Sequence, residues 1–290
     1  MKIKFEDELS EVLAKTVSED YKIAYNAISE FCLSVEPVLS KYIEENSYAY
    51  KIFSNELLYM GPNPPEIPLD SYFGIGETAK IWSSNFPGGL AYNEISGESV
   101  FRFRPTNLFT AIAWNKNYYE KESKFLFPFV AQFIQRLAEE TITKIDYAAF
   151  AVLSEICEDS KNKSLQALSI ESLGDFIKNN KANVVLISKE SQKKILKENG
   201  EEWPEFKGVN FLFADNLLFE AFKQKKGIIV GIDTKNESLF RAVETKGNGN
   251  SVSFEYDDQH RSESGKTGYI SEWSGGFCVS DDKKISFLVS

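Results

Sequence analysis

The sequence predicts an α+β protein built around one very long helix, and three features carry this prediction. The first is uninterrupted helical periodicity from Lys124 to Ile156. The second is a run of alternating strand and helix patterns from Ala182 to Asp233. The third is a closing series of three strand patterns. Such a chain combines a helical rod with a small α/β unit and a return in antiparallel strands.

Residues 1–58 are predicted to form an acidic arm of short helices. Apolar residues recur there at helical spacing in two groups, which are Leu9, Leu13 and Val17, and then Ile23, Ala27 and Phe31. Pro37 is expected to end the helical stretch, because a proline inside a helix removes a backbone hydrogen bond and clashes with the preceding turn.

Residues 59–106 are predicted to form an extended loop. They contain six of the chain's nine prolines and six of its seventeen glycines. At the end of the loop Phe101 and Phe103 alternate with Arg102 and Arg104, as in an exposed strand with two different faces. A loop of this length is uncommon inside a compact domain and is usually functional. The alternative is a surface meander packed on its own chain.

The long helix is predicted to follow a buried strand that runs from Leu108 to Trp114. At 1.5 Å per residue, the helix from Lys124 to Ile156 would span roughly 45–50 Å. Its apolar stripe predicts a core helix, and a coiled coil is less favoured because the stripe covers only about four heptads. The stripe consists of Leu126, Val130, Phe133, Leu137, Ile142, Ile145, Ala149, Val152 and Ile156.

Strands and helices alternate in the next segment, which predicts a small α/β unit. Ser169 or Ser172 is expected to cap its first helix, and Gly200 and Gly227 stand where later helices should end. The closing segment begins with SVSFEYDDQ, residues 251–259, whose apolar and polar residues alternate as in a half-buried antiparallel strand. TGYISEW and KISFLVS are predicted to supply the last two strands.

Composition and charge exclude several classes of protein. The chain has 290 residues, of which 42% are hydrophobic, and a formal charge of −10, which argues against a large basic surface for sequence-specific DNA binding. The charge is uneven, since residues 1–60 hold six Lys against eleven acids (net −5) and residues 178–226 hold ten Lys against seven acids (net +3). Neither a secretory leader nor a membrane span is predicted.

The sequence contains no catalytic or metal-binding constellation. His260 is the single histidine, so neither a catalytic triad built around another histidine nor a typical zinc site is available. Asp257 and Asp258 are adjacent, and neighbouring residues of a strand point to opposite faces. The segment SGKTG lacks the first glycine of a phosphate loop. We therefore expect no enzymatic activity, no cofactor and no metal. The three cysteines are expected to be reduced core thiols.

The order of these segments resembles that of the major capsid proteins of tailed bacteriophages, which share the HK97-like fold. WNKNYYEKESKFLFPFVAQFIQRLAEETITKIDYAAF resembles the family's strand, acidic turn and spine helix, and its Asp146 and Ala148 to Phe150 are similar to the common "ED-x-A-F" ending. FKGVNFLFADNLLFEAFKQKKGIIVGID resembles a later segment of the small apical domain. GYISEWSGGFCVSDDKKISFLVS is similar to the closing strands.

The resemblance implies four parts and a function. The parts are an N-terminal arm (1–58), an extension loop (59–106), a peripheral domain with the spine helix (107–165 and 250–268) and an apical domain (166–249 and 269–290). The implied protein is synthesised in the host cytoplasm and assembles with itself into pentamers and hexamers of a virion shell that encloses DNA without sequence-specific binding. Scaffolding, portal and decoration proteins are further implied partners. An encapsulin-like nanocompartment shell and a cytosolic carboxylate-based hydrolase are the alternatives.

Seven residues are candidate contacts between subunits. Those of the arm are apolar and are expected to reach a neighbouring subunit together with the arm's negative charge. Those at the end of the extension loop would bury aromatic rings or pair guanidinium groups only against another chain. The candidates are Phe5, Leu9, Leu13, Phe101, Arg102, Phe103 and Arg104.

Overall fold

The structure is a computed structural model of the chain. It describes residues 11–13, 15–16, 18, 20–61, 66–68, 100–102, 106–115, 123–159, 163–222, 227–234, 238–246, 248–257, 266–279 and 282–289.

The described part of the arm is dominated by one helix. Helix α1 runs from Tyr21 to Asn46, and Asp20 caps it by accepting a hydrogen bond from the backbone N–H of Lys22. The expectation of short helices that end at Pro37 is wrong, because Pro37 lies inside this 26-residue helix. Residues on both sides of it, including Phe31, Val35, Leu39 and Ile43, are fully buried on one face. Their packing outweighs the roughly 3 kcal/mol cost of an internal proline.

The long helix is confirmed and is slightly longer than predicted. Helix α3 runs from Ser123 to Asp159, and its 37 residues span about 55 Å. Val130, Leu137 and Ile145 on the predicted stripe are buried, whereas Arg136 and Glu140 on the opposite face are exposed. The periodicity therefore identified the buried face correctly. A short helix α2, Tyr48–Ile52, lies between α1 and the first strand.

Helix α3, which we call the spine helix, packs on a five-stranded sheet. Its strands are β1 (Asn55–Tyr59), β4 (Thr106–Asn115), β9 (Leu239–Glu244), β10 (Val252–Asp257) and β11 (Lys266–Val279). The 14-residue strand β11 is the centre, since it pairs antiparallel with β4, β9 and β10, while β1 runs parallel to β9. At Gly275 a Cβ atom would lie 2.5 Å from the carbonyl oxygen of Ala242, so only glycine fits where β11 meets β9.

Strand β4 differs from the prediction of a buried strand. Its side chains alternate between partly or fully buried positions, such as Thr110, and exposed positions, such as Phe109 and Ala111. One face of the strand therefore packs on the spine helix and the other faces solvent. The apolar run LFTAIAW suggested two buried faces because alanine and phenylalanine occupy the exposed positions.

A second five-stranded sheet forms the α/β unit. Its order is β5 (Lys163–Leu165), β12 (Ile285–Val289), β8 (Ile228–Ile232), β6 (Val184–Ser188) and β7 (Asn210–Ala214). Helices α4 (Ile170–Asn180) and α5 (Lys189–Glu198) cover one face, and a short helix α6 (Asn216–Phe219) follows β7. The other face joins the main core beneath the spine helix, where Phe150 contacts Phe219 and Phe222 edge-on.

Two of the predicted helix boundaries in this unit are confirmed. Ser169 caps α4 and forms a reciprocal capping box with Ser172. Helix α5 ends at Glu198, and Gly200 beyond it adopts a positive φ of 68°, which favours glycine.

The pairing of strands also departs from the predicted division of the chain. The residues of β9 fall in the range 166–249 that was given to the apical domain, but the strand belongs to the sheet beneath the spine helix. The proposed boundary between residues 268 and 269 falls inside β11. Sequence patterns identify strands but do not reveal their partners, which here are distant in the chain.

Within residues 59–106, the described segments 66–68 and 100–102 form a small two-stranded sheet. Strand β2 (Glu66–Pro68) pairs antiparallel with β3 (Val100–Arg102), so that Ile67 lies opposite Phe101. The predicted strand near the end of the loop is therefore present at Val100–Arg102. Residues 69–99 lie outside the described residues.

Candidate functional site

A short segment at the end of the arm connects the major parts of the molecule. We call residues 47–50, between α1 and β1, the hub segment. Ser47 caps α2 by accepting a hydrogen bond from the backbone N–H of Tyr50. Four other contacts lead from the hub segment to the spine helix and to both sheets. The segment therefore holds in register elements that are far apart in the sequence.

The first two contacts reach Asp146 in the middle of the spine helix. The Ser47 hydroxyl donates to Asp146 Oδ1 at 2.6 Å, and the backbone N–H of Ala49 donates to the same oxygen at 2.8 Å. Asp146 is only 1% exposed. Burial raises the pKa of Asp146 to about 6, although the hydrogen bonds from Ala49, Ser47 and Tyr48 act in the opposite direction. The Asp146 carboxylate thus accepts a hydrogen bond from a backbone N–H group in the first turn of α2, which has no acceptor within the helix.

The other two contacts reach the two sheets. The Tyr48 hydroxyl donates to the backbone oxygen of Phe213 in β7 at 2.7 Å. The Tyr50 hydroxyl accepts from Trp273 Nε1 in β11 at 3.1 Å. Burial raises the pKa of Tyr50 to about 12, so this phenol is neutral at any physiological pH.

Arg241 on β9 contacts the C-terminal end of the hub segment. The Arg241 guanidinium lies 4.4 Å from the centre of the Tyr50 ring and donates to the backbone oxygens of Tyr50 and Phe53. Arg241 also forms an ion pair of 3.1 Å with Glu56. Its planar, multiply donating head suits this arrangement better than a lysine would.

A second buried carboxylate ties α1 to the main sheet. Glu36 Oε1 accepts from the backbone N–H of Phe254 in β10 at 3.1 Å, and Oε2 accepts from the Asn248 side chain at 3.3 Å. Phe31, five residues earlier on α1, packs against Phe254 and Tyr269. The arm helix is thus an integral part of its own subunit rather than a loose extension.

A cleft opens beside the hub segment, with a volume of about 640 Å³. Residues of α1, the spine helix, α5 and α6 line it, among them Tyr42, Ile142, Lys193 and Leu217. Lys189 and Asp215 form an ion pair at its rim. The described residues contain no cluster of three or more acidic, histidine or cysteine side chains that could bind a metal ion. Nor is any described helix both long and apolar enough to cross a membrane.

The structure places the predicted contact residues unevenly. Leu13 is 2% exposed and belongs to the main core of its own chain, so a contact with a neighbour through Leu13 would require it to leave that core. Phe101 and Arg102 lie in β3. Phe5, Leu9, Phe103 and Arg104 lie outside the described residues. For all seven, a contact between subunits stays a prediction.

The hub segment was missed by sequence analysis. Serine at position 47 marks a helix start, but its partner Asp146 lies 99 residues away. The similarity of Asp146 to a family motif was the only indication of its importance. Glu36 gave no indication, because it occupies one position of an acidic helix.

Comparisons with known proteins bear on the whole architecture. Neither a protein-family model nor a curated protein matches the sequence. A virus-like particle from Pyrococcus furiosus matches the structure with a TM-score of 0.54 at 11% identity, covering 90% of this chain and 100% of that chain. A structure from Microbacterium phage Oxtober96 matches with a TM-score of 0.56 at 9% identity, and the match covers 84% of this chain and 90% of that chain. The capsid structure of the Cyanophage P-SCSP1u matches with a TM-score of 0.50 at 9% identity, and the match covers 82% of this chain and 86% of that chain.

These matches cover between 82% and 90% of the chain rather than one short motif. The predicted fold class is confirmed: the chain has the HK97-like fold, and it shares that fold with a virus-like particle, a cyanophage capsid and a structure from a Microbacterium phage.

Proposed function

We propose that this chain is a major capsid protein, which assembles with itself into pentamers and hexamers of an icosahedral shell around phage DNA. The observation that carries the proposal is the match of fold over 90% of the chain to a protein that forms a virus-like particle. The identity of 11% leaves function to be inferred from architecture rather than from shared residues.

The architecture suits a shell subunit, which has to be rigid. The spine helix is about 55 Å long, and Asp146 in its middle is bonded to the hub segment. The hub segment in turn holds both sheets, so forces on one end of the subunit reach the other through buried hydrogen bonds. A shell subunit needs this stiffness, because small errors in angle accumulate around a closed assembly.

The same proposal covers partners and location. The acidic chain encloses DNA without gripping it in a sequence-specific manner, since a net charge of −10 disfavours a broad phosphate-binding surface. The subunit acts as a structural protein in the virion and carries out no enzymatic reaction. Separate scaffolding, portal and decoration proteins are its partners.

Electron microscopy of the purified chain tests this function. We expect closed shells with five-fold and six-fold clusters of subunits and with nuclease-protected DNA in shells taken from infected or induced cells. Shells that instead contain a co-purifying enzyme would indicate the encapsulin-like alternative. A protein that stays monomeric at all concentrations would contradict both, and clustered acids in one pocket of that monomer would favour the hydrolase.

Deleting Ser84–Ser96 tests the role of the extension loop. If residues 59–106 contact neighbouring subunits more than their own, the deletion should leave a folded, soluble monomer that no longer forms shells. Circular dichroism and thermal melting would report the fold, and sedimentation velocity would report assembly. Normal shells from the deletion variant would show that this loop is a surface meander of its own subunit.

A further inference from the structure

The outer face of the arm helix α1 is unusual for a surface helix. Four of the large hydrophobic residues that remain exposed lie within its first thirteen residues, and Tyr21 at 75% and Tyr25 at 59% are the most exposed of them. The other two are Ile23 and Leu33. Tyr21 and Ile23 lie on different sides of the helix, because residues two apart on a helix do not face the same way, whereas Ile23 and Leu33 lie beside the same strip of surface. Exposed apolar side chains beside one strip of surface favour contact with another protein.

The charges of this face are sparse and symmetrically arranged. Between residues 21 and 35 only Lys22 and Glu30 are charged, and both are exposed. Neither forms an ion pair with any residue that the structure describes. Asn26 lies midway between them and is also exposed. Because the three residues are four apart, they form a single ridge on the helix surface.

This ridge is complementary to a copy of itself. When two identical helices cross in antiparallel orientation with Asn26 at the two-fold axis, Lys22 of each helix faces Glu30 of the other. The contact thus contains two opposite-charge pairs and no like-charge pair. Ile23 and Leu33 lie on either side of the ridge and would be covered by the partner helix. An isologous contact requires this kind of self-complementarity.

We propose that the Lys22–Asn26–Glu30 ridge of α1 is a two-fold contact between copies of this chain. The inference rests on the proposed function, since a shell needs contacts between neighbouring clusters of subunits as well as within them. A single pair of crossing helices buries far less than the roughly 800 Å² per partner of a stable interface. The contact is therefore too weak to hold a dimer in dilute solution, and it forms at the high protein concentration of an assembly or of a concentrated sample.

Cross-linking at the axis tests the geometry. In the Asn26→Cys variant the two new thiols lie across an interaxial distance of about 8–10 Å, which a short bismaleimide spans. The matched control is Lys41→Cys, which is exposed on the same helix but lies about 22 Å along it from the crossing point. We expect a covalent dimer from Asn26→Cys and none from Lys41→Cys or from the parent, whose cysteines are buried.

Charge reversal tests the pairing itself. Lys22→Glu and Glu30→Lys each place two like-charge pairs in the contact, so we expect the cross-linking yield to fall roughly threefold to tenfold at low salt. The double variant Lys22→Glu/Glu30→Lys restores two opposite-charge pairs and should restore the yield. Melting temperatures should stay within a few degrees, because both residues are exposed.

The outcomes separate this contact from the proposed function. The reactions are run at the highest soluble concentration, whatever the state of assembly, and electron microscopy is performed on untreated protein. Shells without the Asn26→Cys dimer would overturn the contact and leave the capsid function standing. The dimer without shells would support the contact and contradict the function. A double variant as poor as the single variants would also overturn the two-fold pairing.

Discussion

Asp146 shows at the scale of one residue how the fold depends on a buried hydrogen-bond acceptor. Its oxygen accepts hydrogen bonds from the Ser47 hydroxyl and the Ala49 backbone, both of which lie in the arm. Removing the acceptor would leave these donors buried without partners, which costs about 1–3 kcal/mol for each group. The residue therefore joins the spine helix to the end of the arm.

The first prediction compares two substitutions at this position. Asp146→Ala should lower the free energy of unfolding by about 2–4 kcal/mol, because two donors lose their acceptor. Asp146→Asn keeps an amide oxygen for the same donors and should cost about 1 kcal/mol or less. Urea unfolding followed by circular dichroism measures both. Equal losses for the two variants would show that the negative charge, not the hydrogen bonding, stabilises the joint.

The second prediction concerns the pH dependence of the same joint. Burial raises the pKa of Asp146 to about 6 from its ordinary value of 3.8, so between these values the folded state binds more protons than the unfolded state. The contribution of Asp146 to stability is therefore most favourable below pH 4 and falls as the pH rises through 6. Relative to Asp146→Asn, the wild-type chain should lose on the order of 1–3 kcal/mol between pH 4 and pH 7. A constant difference across this range would contradict the raised pKa.

At the scale of secondary-structure elements, the sequence correctly predicted the helix and the helix ends that depend mainly on their own local residues. The spine helix was found because its buried stripe repeats over many turns, and Ser169 and Gly200 marked helix ends through local hydrogen bonding and backbone conformation. Pro37 was misread because a helix tolerates a proline when packing on one face is strong. The carbonyl that loses its donor belongs to Leu33, which lies on the exposed face where water can satisfy it.

Elements that depend on distant partners were missed. Strand β1 was assigned to the helical arm, and β9 was not identified as a strand, yet the two pair in parallel from Asn55 with Phe240 to Tyr59 with Glu244. Their sequences are short, and their pairing joins segments more than 180 residues apart. The hub segment escaped notice for the same reason, since its bonds are long-range in the chain. Such contacts are fixed by the assembled core and not by local preference.

The third prediction tests the buried face of the spine helix. Leu137→Asp, like Val130→Asp, places an unpaired charge in a fully packed core, because both side chains are only 2% exposed. The cost of several kcal/mol should prevent folding and not merely assembly. Arg136→Asp is the matched control on the exposed face and should change stability by about 0.5 kcal/mol or less. A soluble Leu137→Asp protein with a native-like melting transition would mean that the wrong face has been identified.

At the scale of the whole molecule, the fold could be predicted from the sequence, whereas the contacts between subunits stay predictions. The order of arm, loop, spine helix and α/β unit indicated the architecture that the structure has. The candidate contacts of the arm are apolar residues, and Leu13 shows the weakness of apolar character as a criterion, because it packs into its own core together with Val12. A side chain that is apolar on a helix serves the core or a partner, and only the tertiary structure distinguishes the two.

The uneven charge of the chain leads to the last prediction. The segment 1–60 has a net charge of −5 and the segment 178–226 has +3, so the start of the arm is expected to dock on a neighbouring subunit. Because Val12 and Leu13 belong to the core, removal of residues 1–10 is a cleaner test than a longer truncation. The shortened chain should fold normally but assemble slowly or into shells of the wrong size.

Salt provides the second half of this test. Exposed ion pairs contribute only about 0–1 kcal/mol and are screened beyond about 8 Å at physiological salt, so they steer association more than they hold the finished contact. Raising the salt concentration should therefore slow the assembly of the full chain, as followed by light scattering, without dissolving shells already formed. The shortened chain should keep most of this salt response, because residues 1–10 hold two Lys against three acids and so carry only −1 of the net −5. Identical rates and sizes for the two chains at low salt would show that residues 1–10 do not dock on a neighbouring subunit.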